Sequence, residues 1–179
     1  MVKEHKMTTY INIFGGPGTG KSTVAAGMFY EFKKQGRSVE LVTEVAKDFV
    51  WENRMKTLTM QPYVMMKQFR NLARVQGSVE YALTDSPIVL GLLYGKLNSI
   101  PLPKSYYDFL VDCHNDLLSP SINIVLQRSF AYDTTGRYQT EEHAKELDGE
   151  IINLLKQNNI SYELLHPSEV HAFVESQMK

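Results

Sequence analysis

A glycine-rich stretch near the start of the chain carries the strongest chemical signal in the sequence. The stretch Gly15–Ser22 reads GGPGTGKS and fits the pattern G-x-x-x-x-G-K-[ST] without a mismatch. Glycines let backbone N–H groups wrap around an anion, and a following helix adds the positive end of its dipole. Lys21 would reach the β and γ phosphates, while the Ser22 hydroxyl would ligate Mg²⁺. The pattern thus predicts a site for ATP or GTP, formed by Gly16, Gly18, Thr19, Gly20, Lys21, Ser22 and Thr23.

Two carboxylates come directly after apolar runs that predict β-strands. Glu44 follows ELVT, and Asp85 follows YALT. Glu44 would accept a proton from an acceptor hydroxyl as it attacks the γ-phosphate, or it is simply a glutamate favoured by a helix dipole. Asp85 would organise Mg²⁺ through its waters, or it is a plain helix cap. We predict that Lys21, Glu44 and Asp85 are catalytic and that Ser22 and Asp85 hold the metal, and either carboxylate fits the role of base.

A segment rich in Arg, Tyr, Thr and Gly follows the fourth predicted strand. It spans about residues 129–140 and, with its flank, reads QRSFAYDTTGRYQT. This composition predicts a lid, in which Arg128 and Arg137 fold over the phosphates and neutralise charge on the transferring group. The alternative is a solvated loop with incidental arginines. We predict catalytic roles for both arginines and place Arg128 first, because it lies at a strand end.

The stretch from Asn53 to Val79 contains basic residues and no acidic residue. Lys67, Arg70 and Arg74 are spaced i, i+3, i+7 and share one face of a predicted helix. Such a face would bind an anionic acceptor, either a nucleotide phosphate or a DNA backbone, or it is an ordinary solvated face. The residues predicted to bind the acceptor are Glu44, Lys47, Lys67, Arg70 and Arg74.

Predicted strands and helices alternate along the chain, and this alternation decides where the chemical groups meet. It predicts an α/β fold with a five-stranded, mostly parallel sheet and helices on both faces, in which ligands bind at the carboxyl ends of the strands. The predicted strands are Thr9–Phe14, Ser38–Thr43, Val79–Asp85, Ser121–Gln127 and Ile160–Leu165. The predicted helices are Lys21–Gln35, Glu44–Trp51, Pro62–Gln76, Pro87–Leu97, Lys104–Leu118, Glu141–Gln157 with Thr140 as its cap, and a last one opened by Pro167.

Length and composition predict one domain over residues 1–179. Hydrophobic residues make up 43% and charged residues 22%, as in ordinary globular proteins. The net charge of -1 argues against a broad nucleic-acid footprint but allows a local basic patch. The single cysteine, Cys113, is expected in the core, and the histidines lack the spacing of a zinc site. We find no apolar run that would span a membrane and no signal peptide at the start, so we expect a cytoplasmic protein.

Three classes of nucleotide-binding protein compete for this pattern. A guanine-specific switch would carry N-K-x-D and D-x-x-G motifs, and neither is present. A motor-type ATPase usually has a second carboxylate after its acidic strand to activate water, whereas Ser86 follows Asp85 here. Both absences favour transfer of a phosphoryl group to an acceptor over hydrolysis.

The combination of motifs resembles a known family. INIFGGPGTGKST, LVTEVAKDFVWE, MMKQFRNLAR, YALTDSP and QRSFAYDTTGRYQTEE together look like the small P-loop kinase-like proteins grouped with the AAA-type ATPases. That group includes the ribosylnicotinamide kinase domain of the bacterial NAD-biosynthesis regulator and many bacteriophage ATPases. Deoxynucleoside and thymidylate kinases carry an arginine beside one acid, as Asp-Arg-Ser or Arg-Glu-Pro. The corresponding stretches here are Asp85-Ser86-Pro87 and Thr43-Glu44-Val45.

The resemblance implies a P-loop fold of the nucleoside or nucleotide kinase type, with ATP and Mg²⁺ bound at Gly20–Thr23 and transfer near Glu44 and Asp85. The expected activity is phosphoryl transfer to a small nucleoside- or nucleotide-like acceptor. Two alternatives stay open: a kinase acting on a polynucleotide or a modified base in DNA, and an ATP-binding switch that hydrolyses slowly without an acceptor. The acceptor and the oligomeric state are left open, and a dimer is compatible with the sequence.

Overall fold

A five-stranded parallel sheet forms the centre of the computed structural model, which describes residues 7–97, 101–129 and 140–178. The strand order is β2-β3-β1-β4-β5, and every neighbouring pair is parallel. The α/β sheet predicted from the alternation of elements is therefore confirmed. The strands are β1 (Thr9–Phe14), β2 (Val39–Val42), β3 (Tyr81–Thr84), β4 (Ser121–Leu126) and β5 (Glu163–Leu165).

The helices follow the predicted order, with several local differences. The helix predicted to end at Gln76 ends at Ala73, and the helix predicted to begin at Pro87 begins at Leu90. A short helix, α3, was not predicted, and the predicted helix from Lys104 to Leu118 ends as a π-helical turn at Cys113–Leu117, where the Leu118 N–H donates to the Cys113 carbonyl. The last helix begins at Val170, after a turn that contains Pro167. The helices are α1 (Lys21–Lys34), α2 (Val45–Trp51), α3 (Met55–Leu58), α4 (Gln61–Ala73), α5 (Leu90–Leu97), α6 (Lys104–Asp112), α7 (Glu141–Gln157) and α8 (Val170–Gln177).

Two hydrophobic cores lie on the two faces of the sheet. Helices α1 and α8 pack on one face through residues such as Phe32 and Val174. Helices α2 and α4 to α7 contribute to the core of the other face, where Tyr10 and Phe14 of β1 are fully buried. Because β1 is central and covered on both faces, its sequence TYINIF is apolar with little interruption. This strand carries the glycine-rich loop at its carboxyl end.

Two local predictions are confirmed by the contacts of single residues. Cys113 is fully buried in the core. The Thr140 hydroxyl accepts a hydrogen bond from the His143 N–H at 3.3 Å, which caps α7. Residues 130–139, which include most of the predicted lid and Arg137, lie outside the described residues. None of the helices in the described ranges is long and apolar enough to cross a membrane.

Candidate active site

The glycine-rich loop, here called the phosphate loop (residues 15–22), joins β1 to α1. Gly18 and Gly20 have φ angles of 85° and 89°, a region that residues with a Cβ rarely adopt. These glycines allow the backbone to curl before α1 begins at Lys21. The Lys21 Nζ donates to the Gly16 carbonyl at 3.0 Å, so the lysine folds back over the loop. The first turn of α1 contains no acidic residue that would compete with an anion.

Asp85 lies at the carboxyl end of β3, beside the start of α1. Its Oδ2 accepts a hydrogen bond from the Ser22 hydroxyl at 2.5 Å. Its Oδ1 is buried and has no hydrogen-bond partner within the described ranges of the chain. This arrangement costs free energy unless a cation or water satisfies the oxygen. Among the described residues no group of three or more His, Cys, Asp or Glu side chains is arranged to hold a metal by itself. A hydroxyl with one carboxylate fits Mg²⁺, which binds through few protein ligands, several waters and substrate phosphates.

Glu44 is the N-cap residue of α2 and lies one strand away from Asp85 in the sheet. Burial raises the pKa of its carboxyl, the positive charge of Lys21 lowers that pKa, and the negative charge of Asp85 raises it again. The net pKa is higher than that of an ordinary glutamate. The buried Gln68 of α4 accepts a hydrogen bond from the Val45 N–H at 3.0 Å, which fixes the start of α2 beside Glu44.

One cleft connects these groups. Its volume is about 820 Å³, within the range of small-molecule sites. The phosphate loop, Asp85 and Glu44 line its first half. The second half is mostly apolar and includes the buried side chain of Gln61. Its Oε1 has no hydrogen-bond partner among the residues that the structure describes. Residues that line this second half are Val50, Met55, Leu58, Gln61, Met65, Leu90, Tyr94 and Leu97.

Arg128 lies two residues after β4 and contacts the phosphate loop rather than the open cleft. Its Nε donates to Oδ2 of Asp148 at 2.8 Å, and its Nη1 donates to the Pro17 carbonyl at 2.8 Å. Oδ1 of Asp148 in turn accepts a hydrogen bond from the Gly16 N–H at 2.6 Å. Its guanidinium therefore contacts α7 and the loop backbone, and the predicted catalytic role of Arg128 over the phosphates stays a prediction.

The predicted acceptor residues divide between the cleft and the surface. Glu44 and Lys47 line the cleft. Lys67, Arg70 and Arg74 are exposed on α4 and are not among the residues that line the cleft. Lys67 instead lies over the rings of Phe49 and Tyr63, at 5.1 and 5.5 Å from their centroids. The part of α4 that reaches the cleft is its other face, and acceptor binding by the three basic residues stays a prediction.

Three residues of the site were not foreseen from the sequence. Asp148, Gln61 and Tyr94 have no motif around them, and their importance comes from contacts between distant parts of the chain. Asp148 and Gly16, for example, are 132 positions apart. Tyr94 is partly buried in the cleft, and burial together with the negative charges of Glu44 and Asp148 raises the pKa of its hydroxyl.

Comparison with known proteins supports the fold in two ways, through a protein-family model and through solved structures. The model of a protein family described as "AAA domain" matches residues 10–172. Deoxyadenosine kinase from M. mycoides with bound dATP has 19% sequence identity and a TM-score of 0.55, over 96% of this chain and 98% of that chain. The same enzyme with the products dCMP and a flexible dCDP gives 20% identity and a TM-score of 0.52, over 94% and 98% of the two chains. No curated protein sequence matches this chain.

The likeness to the two kinase structures concerns the fold, because the identity is low. It confirms the predicted P-loop fold of the nucleoside kinase type. The resemblance to P-loop kinase-like proteins grouped with AAA-type ATPases is confirmed by the family model and by the fold. The narrower likeness to a ribosylnicotinamide kinase domain or to bacteriophage ATPases stays a prediction.

Proposed function

We propose that this chain, which belongs to the AAA domain family, is an ATP- and Mg²⁺-dependent phosphotransferase. Its acceptor would be a small nucleoside- or nucleotide-like molecule. The observation that carries the proposal is the single cleft that joins the phosphate loop, Asp85 and Glu44 to a second, mostly apolar half. A hydrolase needs room for water beside the γ-phosphate. A cleft of this size leaves room for an acceptor as well as the triphosphate.

Each residue of the first half has a separate task in this proposal. Lys21 leaves the Gly16 carbonyl and binds the β and γ phosphates. Ser22 and Asp85 hold Mg²⁺, and the unpartnered Oδ1 of Asp85 supports this assignment. A magnesium ion held by these two residues would supply positive charge that offsets the charge of the phosphates. The raised pKa of Glu44 suits a group that must take a proton from a hydroxyl near neutral pH.

The second half of the cleft suits an acceptor that is flat, partly apolar and able to hydrogen-bond. Leu58, Met65 and Leu90 provide apolar walls. The unpaired Gln61 Oε1 would accept a hydrogen bond from a bound amine or hydroxyl. Nucleosides combine these properties in one molecule, and the two solved structures compared above are of a deoxyadenosine kinase. We expect a nucleoside or a related base–sugar compound before other alcohols.

The test is transfer of label from γ-labelled ATP to a panel of nucleosides, nucleoside monophosphates, nicotinamide riboside and short DNA. A labelled product with one acceptor class supports the proposal, and Lys21→Met should lose at least about a hundredfold in turnover because an electrostatic contact to the transferred group is gone. Lys34→Ala, at the exposed end of the same helix, is the matched control. ATP binding without any labelled acceptor would favour a slow ATP-binding switch instead.

A second candidate acceptor is the end of a polynucleotide. Lys67, Arg70 and Arg74 form an exposed basic face, and the ring of Tyr63, which is 43% exposed, lies 5.5 Å from the Lys67 Nζ. Basic side chains with exposed aromatic rings are typical of surfaces that bind single strands. Binding of a short DNA strand should then weaken steeply with salt, and Arg70→Gln with Arg74→Gln should flatten that dependence. An affinity for DNA that does not change with salt would exclude this candidate.

A further inference from the structure

Asp148 and Arg128 connect helix α7 to the first residues of the phosphate loop. Both Nε and Nη2 of Arg128 contact Oδ2 of Asp148, each at 2.8 Å. Nη2 also donates to the Ala144 carbonyl of α7 at 3.1 Å. The two side chains are only 14% and 24% exposed. The pair is therefore held by several directional contacts, unlike an exposed surface ion pair.

These contacts engage the polar backbone groups at Gly16 and Pro17. The Gly16 N–H donates to Asp148, and the Pro17 carbonyl accepts from Arg128. The Gly16 carbonyl accepts from the side chains of Thr19 and Lys21, both at 3.0 Å. Proline has no N–H, so every backbone polar group of Gly16 and Pro17 has a partner. Its orientation is set by α7 and not only by the loop's own glycines.

The fit between the loop and α7 explains why position 16 carries a glycine. Gly16 is not among the residues with a positive φ. A Cβ built there would lie 2.5 Å from Oδ1 of Asp148 and 2.6 Å from the Ala144 carbonyl oxygen. The absence of a side chain is therefore required by close contact with α7. The loop and the helix are fitted to each other at this point.

A carboxylate beside a phosphate loop presents an electrostatic problem. The charge of Asp148 would repel the triphosphate that the loop is built to bind. Arg128 contacts the same carboxylate and offsets its charge, while leaving its Oδ1 to accept from Gly16. We propose that Asp148 and Arg128 are positioning residues: Asp148 orients the start of the loop, and Arg128 prevents the carboxylate from repelling ATP. The inference rests on the proposed binding of ATP.

The test is a double-mutant cycle on ATP affinity in the full chain. Arg128→Gln leaves the Asp148 charge without its partner and should weaken ATP binding by roughly tenfold or more. Adding Asp148→Asn removes that charge and should restore most of the affinity. Asp148→Asn alone keeps an oxygen for Gly16, so ATP affinity should stay within about threefold while kcat falls through looser positioning. Arg128→Lys, which keeps the charge, should bind ATP better than Arg128→Gln.

Controls separate this role from a merely structural one. Lys145→Gln breaks an exposed ion pair with Glu141 on the same helix and should leave ATP affinity unchanged. Thermal unfolding of each variant checks folding, and if Arg128→Gln does not fold, Asp148→Asn and Arg128→Lys still give the comparison. A double variant that binds ATP as weakly as Arg128→Gln would overturn the inference, because Arg128 would then act directly on the phosphates. A wild-type protein that binds no ATP would overturn the proposed function as well.

Discussion

Glu44 experiences opposing electrostatic effects, and its pKa reports their balance. Burial and the charge of Asp85 favour its neutral form, while Lys21 favours the ionised form. The net effect raises its pKa above the ordinary value. A raised pKa makes a carboxylate a better proton acceptor near neutral pH. It also makes the ionised group costly to keep in the folded protein.

Glu44→Gln should therefore slow catalysis and stabilise the protein at the same time. Turnover should fall about 10²- to 10⁴-fold, the usual contribution of a general base, with ATP affinity little changed. For stability, the folded-state pKa lies above the unfolded one, so the contribution of Glu44 is present at low pH and is lost as pH rises through the folded pKa. Glutamine does not ionise, so the variant does not lose this stability. The difference in melting temperature between the variant and the wild type should therefore grow as pH rises.

Two measurements check this prediction. The pH profile of wild-type turnover should fall on the acidic side at a higher pH than an ordinary glutamate would give. Thermal unfolding of both proteins across the same pH range should show the growing difference. Equal turnover in Glu44→Gln would contradict the base role. Glu52→Gln, on an exposed residue after α2 that pairs with Arg54, is the control for loss of a surface carboxylate.

At the scale of elements, Gly91 marks a close approach between α5 and its neighbours. A Cβ at this position would lie 2.6 Å from Cγ of Met65 and 2.8 Å from Cδ1 of Leu110. Met65 belongs to α4 and lines the apolar half of the cleft. Gly91 therefore lets three helices close around the proposed acceptor site.

Gly91→Ala should displace Met65 toward the cleft. We expect destabilisation of about 1–3 kcal/mol from overpacking and a higher KM for the acceptor, with ATP affinity unchanged. Denaturant unfolding and steady-state kinetics measure the two effects. Gly27→Ala in α1 is the matched control, since a Cβ there meets nothing within 4 Å. It should stabilise the protein by up to about 1 kcal/mol through helix propensity; the same result for Gly91→Ala would show that the helices are less tightly packed.

The π-helical turn after α6 buries His114, which is only 2% exposed. Its ring packs edge-on against Phe14, the last residue of β1. Burial lowers the pKa of His114 to about 4. Because the folded-state pKa is depressed, the neutral ring contributes stability above the ordinary pKa of 6.5, and that stability is lost as pH falls toward 4.

The expected loss is about 3 kcal/mol, from a pKa difference of roughly 2.5 units. His114→Leu cannot take up this proton, so its unfolding free energy should fall less than that of the wild type between pH 7 and pH 4. Denaturant unfolding at several pH values measures both curves. Parallel curves for the two proteins would mean that the ring is protonated without cost in the folded state.

Elements were predicted best where one local pattern determines them. Helix α7 was predicted with its observed bounds because Thr140, two glutamates and a regular apolar spacing all act within the helix. Strands β2 to β5 are all shorter than predicted. At β5 the residues that were lost include Ile160, which is buried in the core without joining the sheet. The three basic residues of α4 were predicted to share one face, and all three are exposed, but the sequence could not say that the cleft lies on the other side. Asp148 and Gln61 were missed because only folding brings them to the loop and the cleft.

At the scale of the whole molecule, the strand order determines where the chemistry lies. The chain passes from β1 to the outer strand β2, returns to β3, and then crosses β1 to reach β4. All strands are parallel, so the loop after β1 lies between the ends of β3 and β4. Asp85 from one side and Arg128 from the other therefore meet the same loop. The parallel sheet was predictable from the alternation of elements, whereas its strand order was not.

This arrangement couples nucleotide binding to the stability of the central strands. Mg²⁺-ATP at a hundred times its Kd should stabilise the folded chain by about 2.7 kcal/mol, which corresponds to roughly 5–11 °C in melting temperature for a protein of this size. Chelation of Mg²⁺ by EDTA should reduce the shift. Lys21→Met should abolish most of it, because the lysine is expected to contact the phosphates.

Asp85→Asn distinguishes the stabilisation by Mg²⁺ from the stabilisation by the ATP phosphates in the same experiment. The amide keeps an oxygen for the Ser22 hydroxyl but loses the charge that attracts a divalent cation. ATP should still raise the melting temperature of this variant, and the additional increment from Mg²⁺ should disappear. Retention of the wild-type magnesium increment would move the metal site away from Asp85. In that case the unpartnered Oδ1 would need a water instead of a cation. Asp85 would then become the candidate base, and Glu44 the candidate metal ligand.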